Sequence, residues 1–203
     1  MPNTHQSCST RFKVAGVTGP PHPYFAYGSN LCAQQMARRC PDARDPYPAL
    51  LVDHDWLINQ RGVATVAPHA GRTVHGVVWR LSDADLAALD RAESVPAHYR
   101  RDRLPVHTDA GVVEAWVYLD HRVNPGPPRP GYLERILDGA RQHGLPSDWV
   151  AFLHGWGTPG SASLSGQHRA EGSVSDRAGS PVAPVAIVTD ARSDGRGSGR
   201  RRG

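Results

Sequence analysis

At Thr158 the chain stops reading like folded protein. Sixteen of the final 46 residues are Gly or Ser, and none is aromatic. Such a segment cannot bury enough apolar surface to offset the entropy of ordering it, so residues 158–203 are expected to form a disordered Gly/Ser/Arg-rich tail. Its one apolar island, VAPVAIV at 182–188, reads as a docking strand or as an unstructured run, and the composition favours the second. At the other end, residues 1–22 are polar and finish in GPPHP, which suits a flexible arm. Folding is therefore confined to about 23–157, the length of one ordinary domain.

Charge tells less than it promises. The formal net charge is +4, which invites a nucleic-acid reading. Yet seven arginines against four acidic residues in 158–203 account for +3 of that excess. The body is close to neutral, and no nucleic-acid partner is expected. The three cysteines, Cys8, Cys32 and Cys40, contain no C-x-x-C pair, which argues against a disulfide scaffold and a zinc site. Eleven histidines are present, but none forms an H-x-x-x-H pair, and His75 and His107 fall in strand-like runs; no metal is expected. The N-terminus lacks the apolar core of a signal peptide and no stretch reaches transmembrane length, so a cytoplasmic setting without membrane association is expected.

Within the body, Pro23–Tyr27 reads as a strand. Strands follow at Ala49–Asn59, from Arg61 and at Thr73–Leu81. SDADLAALDRAE then reads as a helix, with Ser82 and Asp85 forming a capping box in which Asp replaces Glu. YRRDRLPVHT and GVVEAWVYLD flank a hairpin turn at Asp109-Ala110-Gly111. Tyr132, Leu133, Ile136, Leu137 and Ala140 make the stripe of a further helix that Gly144 and Pro146 stop. SDWVAFL is a short last helix capped by Ser147. Strands and helices do not alternate, which excludes a doubly wound sheet and points to a mixed α+β domain.

Two stretches carry the chemistry. In YFAYGSNL (24–31), a strand runs through Gly28 into a helix that Asn30 is placed to cap. A strand end, a glycine and a helix start gather free N–H groups that can hold an anion or a polarised carbonyl; an ordinary strand-to-helix turn has the same spelling. In the Ser82 helix, Leu86 and Leu89 mark the buried face, and Glu93 returns to that stripe if the helix reaches so far. A carboxylate buried there would be held toward neutral pH, as a general base that must also return a proton requires. If the helix stops near Arg91, Glu93 sits instead in an exposed turn before Pro96. No G-x-S-x-G elbow or phosphate-binding loop appears.

YFAYGSNL, HGVVWRLSDADLAALDRAESVP at 75–96, HYRR and GYLERILDGARQHGLP, in this order and spacing, resemble the γ-glutamylcyclotransferase family over roughly residues 24–155. The resemblance implies a small β-barrel surrounded by helices. It also implies intramolecular aminolysis of a γ-glutamyl compound, releasing 5-oxoproline and a free amine with no cofactor. By the same resemblance the substrate-holding segment falls on Tyr24, Phe25, Ala26, Tyr27, Gly28 and Ser29, the acid/base on Glu93, and a substrate-contacting tyrosine on Tyr132. Asn30 joins the set as an N–H donor for the oxyanion. The family often has glycine where this chain has Ser94, which leaves the turn after Glu93 open. The leaving amine is also open: an amino acid, a simple amine, or a biosynthetic intermediate carrying a γ-glutamyl protecting group. A non-catalytic binding module of the same fold and a nucleic-acid protein using its tail are the rivals from other classes. Dimerisation occurs among similar proteins, so a homodimer is compatible with the chain, though no interface can be read.

Overall fold

The structure is a computed structural model that describes residues 21–157. The proposed tail, its VAPVAIV island and residues 1–20 of the arm lie outside the described residues. Ten elements follow one another: β1 (His22–Ala26), a 3-10 turn (Ser29–Leu31), α1 (Ala33–Arg39), β2 (Arg44–Ile58), β3 (Ala64–Leu81), α2 (Asp83–Ala92), β4 (Tyr99–Thr108), β5 (Gly111–Asp120), α3 (Tyr132–Gln142) and α4 (Ser147–Gly155). The strands close a barrel in the order β1-β3-β2-β4-β5, which fits the α+β expectation of a barrel ringed by helices. Closure comes from a short parallel bridge in which Tyr24 faces Trp116 across β1 and β5. No helix of the described residues is long and apolar enough to cross a membrane.

The strands expected from Arg61 and from Thr73 are one bent strand of 18 residues, β3. Pro68 and Gly71 suggest a break, but β2 pairs with β3 on both sides of residues 69–72 and holds the two halves in one strand. The mismatch is absorbed in a bulge: Val52 faces Thr73 and His54 faces Pro68, so Asp53 alone spans residues 69–72. Asp53 takes a left-handed backbone (φ 56), and its carboxylate accepts from the Gly71 N–H at 2.9 Å. β-Bulges of this kind bend a strand and strengthen its twist, which a small barrel needs.

The helices fix the site. α2 starts with the capping box read from the sequence: Asp85 N–H donates to the Ser82 hydroxyl at 3.1 Å, and Asp85 reciprocates toward the Ser82 N–H. Leu86 and Leu89 face the core as expected. α3 buries Leu133, Ile136, Leu137 and Ala140, and Gly139 brings it against the 3-10 turn. A Cβ on Gly139 would lie 2.4 Å from the Leu31 carbonyl carbon and 2.6 Å from the Cys32 nitrogen, so only glycine permits this approach. α4 includes Ser147 within its first turn, with Pro146 at the cap position and no side-chain cap. Ser147 is already the first helical residue, so its hydroxyl is not in the cap position, and Pro146 with φ −53 leads the chain into the helix.

Candidate active site

The 3-10 turn at Ser29–Leu31 is the centre of the site. Asn30 does not cap α1; Cys32 occupies that position, and no side chain caps the helix. The reason is burial. Asn30 is only 4% exposed, and its carboxamide is drawn into a network that uses all four of its hydrogen-bonding positions. Nδ2 donates to the Tyr24 hydroxyl at 2.9 Å and to Glu93 Oε1 at 3.1 Å. Oδ1 accepts from Gln35 at 2.8 Å and Arg39 at 2.9 Å. Gln35 also donates to the Ser29 hydroxyl at 2.8 Å. The turn's first N–H groups, those of Ser29 and Asn30, have no acceptor inside the turn, since its bonds begin with Leu31 N–H on the Gly28 carbonyl.

Glu93 is the C-cap of α2, with helical backbone angles (φ −87, ψ 0). The helix itself stops at Ala92, close to the earlier of the two ends the sequence allows, yet the helical backbone of the cap keeps Glu93 half-buried and out of an exposed turn. Its surroundings are not simply apolar: the side chain is 17% exposed and pairs with Arg39 at 2.9 Å. Arg39 and Asn30 both donate to Oε1, while no hydrogen bond among the described residues falls on Oε2. The turn after it is a Schellman ending, in which Ser94 N–H reaches the Arg91 carbonyl and Val95 N–H the Asp90 carbonyl. Ser94 holds the left-handed position of that motif (φ 55).

Around this carboxylate lie two connected spaces. The inner pocket is lined by Tyr24, Tyr27, Gly28, Ser29, Asn30, Glu93 and Tyr132 from the expected set, with Ala64, Tyr99 and Tyr118. The outer cleft, about 270 Å³, shares Ser29, Glu93, Tyr99 and Tyr132 and adds Arg39, Arg61, Arg129 and Arg135. Tyr132 leaves the apolar stripe at its hydroxyl, which accepts from the Ala64 N–H at 3.0 Å, and the Ser29 hydroxyl and N–H act on the same oxygen. Gly28 has an ordinary φ of −116. What it supplies is room, because a Cβ there would stand 3.2 Å from the Tyr132 hydroxyl.

Phe25 and Ala26 do not join the lining. Phe25 points to the face of β1 opposite Tyr24, as strand neighbours must. Its ring covers Gly76, where a Cβ would lie 2.5 Å away. Ala26 has no reach beyond its methyl, and both residues are fully buried. Conversely, Tyr99, Tyr118, Arg39 and Arg61 were not singled out from the sequence. Tyr99 does start β4, but its ring also walls the pocket. Its hydroxyl donates to the Ala64 carbonyl at 2.9 Å. Tyr118 accepts the Tyr27 hydroxyl on its carbonyl and donates its own hydroxyl to Asp90 at 2.7 Å. The HYRR fragment offered a signal for Tyr99; nothing local marks Tyr118.

Burial above all raises the Tyr24, Tyr27, Tyr99, Tyr118 and Tyr132 hydroxyls over their ordinary value of 10.0. All five therefore stay protonated near neutrality; Tyr27, Tyr99 and Tyr118 donate to protein acceptors, while the Tyr24 and Tyr132 hydroxyls accept from Asn30 and Ala64. Behind the cleft, Asp120 is buried, which opposes its charge, but the Arg122 N–H, Arg61 and Asn59 outweigh that and hold its carboxyl below the ordinary 3.8. Arg61 pairs with it at 2.6 Å. Among the described residues no group of three or more His, Cys, Asp or Glu is placed to hold a metal.

Residues 73–153 match the model of the AIG2-like family. Gamma-glutamylcyclotransferase of Mus musculus is 33% identical over 147 residues, 66% of this chain and 78% of that protein. The Homo sapiens protein of the same name is 34% identical over 66% of this chain and 79% of its own. A solved structure of a gamma-glutamyl cyclotransferase superposes with a TM-score of 0.62 at 31% identity, over 66% of this chain and 86% of that one. The chain belongs to the γ-glutamylcyclotransferase family and is an enzyme of the cyclotransferase type.

Proposed function

We propose that this chain converts a γ-glutamyl amide into 5-oxoproline and a free amine, with Glu93 moving the protons. In such a substrate the nucleophile and electrophile are tethered, so the protein's work is to fold the molecule, deprotonate the α-ammonium and stabilise the oxyanion. The observation that carries the reading is the half-committed carboxylate. Oε1 is fixed by Arg39 and Asn30, Oε2 has no partner among the described residues, and Glu93 lines the pocket.

The steps balance. Glu93 takes a proton from the α-ammonium, and the amine attacks the γ-carbonyl carbon to form the ring C–N bond. The oxygen becomes anionic beside the N–H groups at Gly28 and Asn30, with the Ser29 N–H engaged on the Tyr132 hydroxyl. Glu93 hands the first proton to the leaving nitrogen and, freed again, takes a second one from the ring nitrogen. The oxyanion re-forms the carbonyl as the bond to the leaving nitrogen breaks, and Glu93 passes the second proton to the freed amine. Both protons end on the released amine, which departs as an ammonium ion. Tyr24, Tyr27 and Tyr132 contact the glutamyl portion in the inner pocket. The test is 5-oxoproline release, by mass spectrometry, from γ-glutamyl peptides and amides. Wild type should turn over, and Glu93→Gln should lose on the order of 10²- to 10⁴-fold in kcat with an unchanged circular dichroism spectrum. A variant with near-wild-type turnover would remove Glu93 from the mechanism.

A further inference from the structure

The outer cleft continues from Glu93 and is lined by four arginines against one carboxylate, that of Glu93 itself. They are not equivalent. Arg39 is committed to Glu93 and Asn30, and Arg61 to Asp120. Arg129 and Arg135 form no ion pair among the described residues. Arg129 spends only its Nε, on the Arg61 carbonyl at 2.8 Å. Arg135 also borders a neighbouring cleft with Arg38 and Arg39, so positive charge extends along this rim.

If the glutamyl portion fills the inner pocket, the departing amine must lie in this cleft. We infer that the cleft selects a leaving amine bearing two carboxylates, so that the preferred substrates are γ-glutamyl derivatives of acidic amino acids. This inference rests on the cyclotransferase reading above. Two guanidiniums with unused fork faces match two carboxylates by charge-assisted pairs. A cationic amine would meet like charge at four of the lining side chains and opposite charge only at Glu93, and a neutral amine gains nothing from Arg129 or Arg135. Arg129 and Arg135 are exposed, so solvent screening moderates each pair, and the expected gain is roughly 1.5- to fivefold per carboxylate.

The experiment compares kcat/KM for γ-glutamyl-glutamate, γ-glutamyl-alanine and γ-glutamyl-butylamide, whose leaving amines carry two, one and no carboxylates. The expected order is the order given, with the differences lying mainly in KM and shrinking at high salt. Arg129→Gln combined with Arg135→Gln should narrow the ratio between the first two substrates toward one. The corresponding pair of changes to Glu should invert it, a gain that misfolding cannot mimic. Equal values for all three, or a preference for the butylamide, overturn the inference while leaving the reaction intact. Absence of 5-oxoproline from all three removes the reaction and the inference together.

Discussion

Two helix ends converge on the same 3-10 turn and do opposite work there. α2 ends at Glu93, which meets the Asn30 carboxamide; α3 ends at His143, whose Nε2 lies 2.9 Å from the Leu31 carbonyl and must donate to it. Both close with the Schellman pattern, Gly144 and Leu145 repeating for α3 what Ser94 and Val95 do for α2. At α3 the left-handed position is glycine (φ 64), and at α2 it is serine (φ 55). His143 is spent on structure, with its ring edge-on to Trp79 at 5.5 Å. Glu93 keeps one oxygen unspent. The same backbone device therefore serves as a brace at one end and as a mount for a reactive group at the other, and the mount is the one with a strained residue beside it.

The difference can be broken most severely by exchanging the amide for each terminal group. Glu93→Gln should remove turnover as stated above, whereas His143→Gln should change kcat less than about threefold while costing about 1 kcal/mol of stability, read by denaturant titration. Next in size is Gly139→Ala. Its Cβ would press α3 off the turn that both ends hold, which should cost roughly 1–3 kcal/mol. Turnover should fall with it, because Tyr132 and Ser29 separate. Smaller still are the paired changes at the left-handed positions. Gly144→Ser should destabilise by about 1 kcal/mol and Ser94→Gly should stabilise by a little less, so the double variant should return close to the wild-type midpoint. If Ser94→Gly is neutral or destabilising, the strain assigned to the mount is absent.

The smallest effect is in pH. Burial lowers the His143 imidazole below its ordinary 6.5, against the opposing pull of the Leu31 carbonyl. The unfolded chain thus binds that proton more readily than the native state. Its contribution is present above pH 6.5 and is lost as pH falls toward the native value. Thermal melts of His143→Gln should show a shallower decline on acidification than wild type. On the alkaline side the sign reverses: the five raised tyrosines should make stability fall as pH climbs past about 10, followed through tyrosinate absorbance.

Local chemistry was the legible part. The Ser82–Asp85 capping box, the Asp109-Ala110 hairpin and the α3 stripe each depend on residues within a few positions of one another, and each could be read. The position of Glu93 needed only helical periodicity and one decision about where α2 stops. Asn30 was misread as a cap because its partners Gln35 and Arg39 lie on the next helix and Glu93 lies 63 residues away. The resemblance marks a whole segment, whereas the strand turns Phe25 to the face opposite Tyr24 and Ala26 has only a methyl to offer. β3 was divided because Pro68 and Gly71 signal a turn locally, and only the pairing with β2 overrides them. Arg129 and Arg135 had no signal at all, since their meaning comes from what fails to sit opposite them.

The barrel's closing bridge between Tyr24 and Trp116 has a consequence for the chain's biosynthesis. Ninety-two residues separate the two, so at about 5–20 residues per second the first strand waits roughly 5 to 18 seconds for the strand that completes its ring. Its antiparallel partner, β3, arrives earlier and covers one edge; the other edge stays open until β5 emerges. Tyr132 comes later still. Catalytic competence thus waits on residues from both ends of the folded body, and turnover cannot begin before Tyr132 has joined the closed ring.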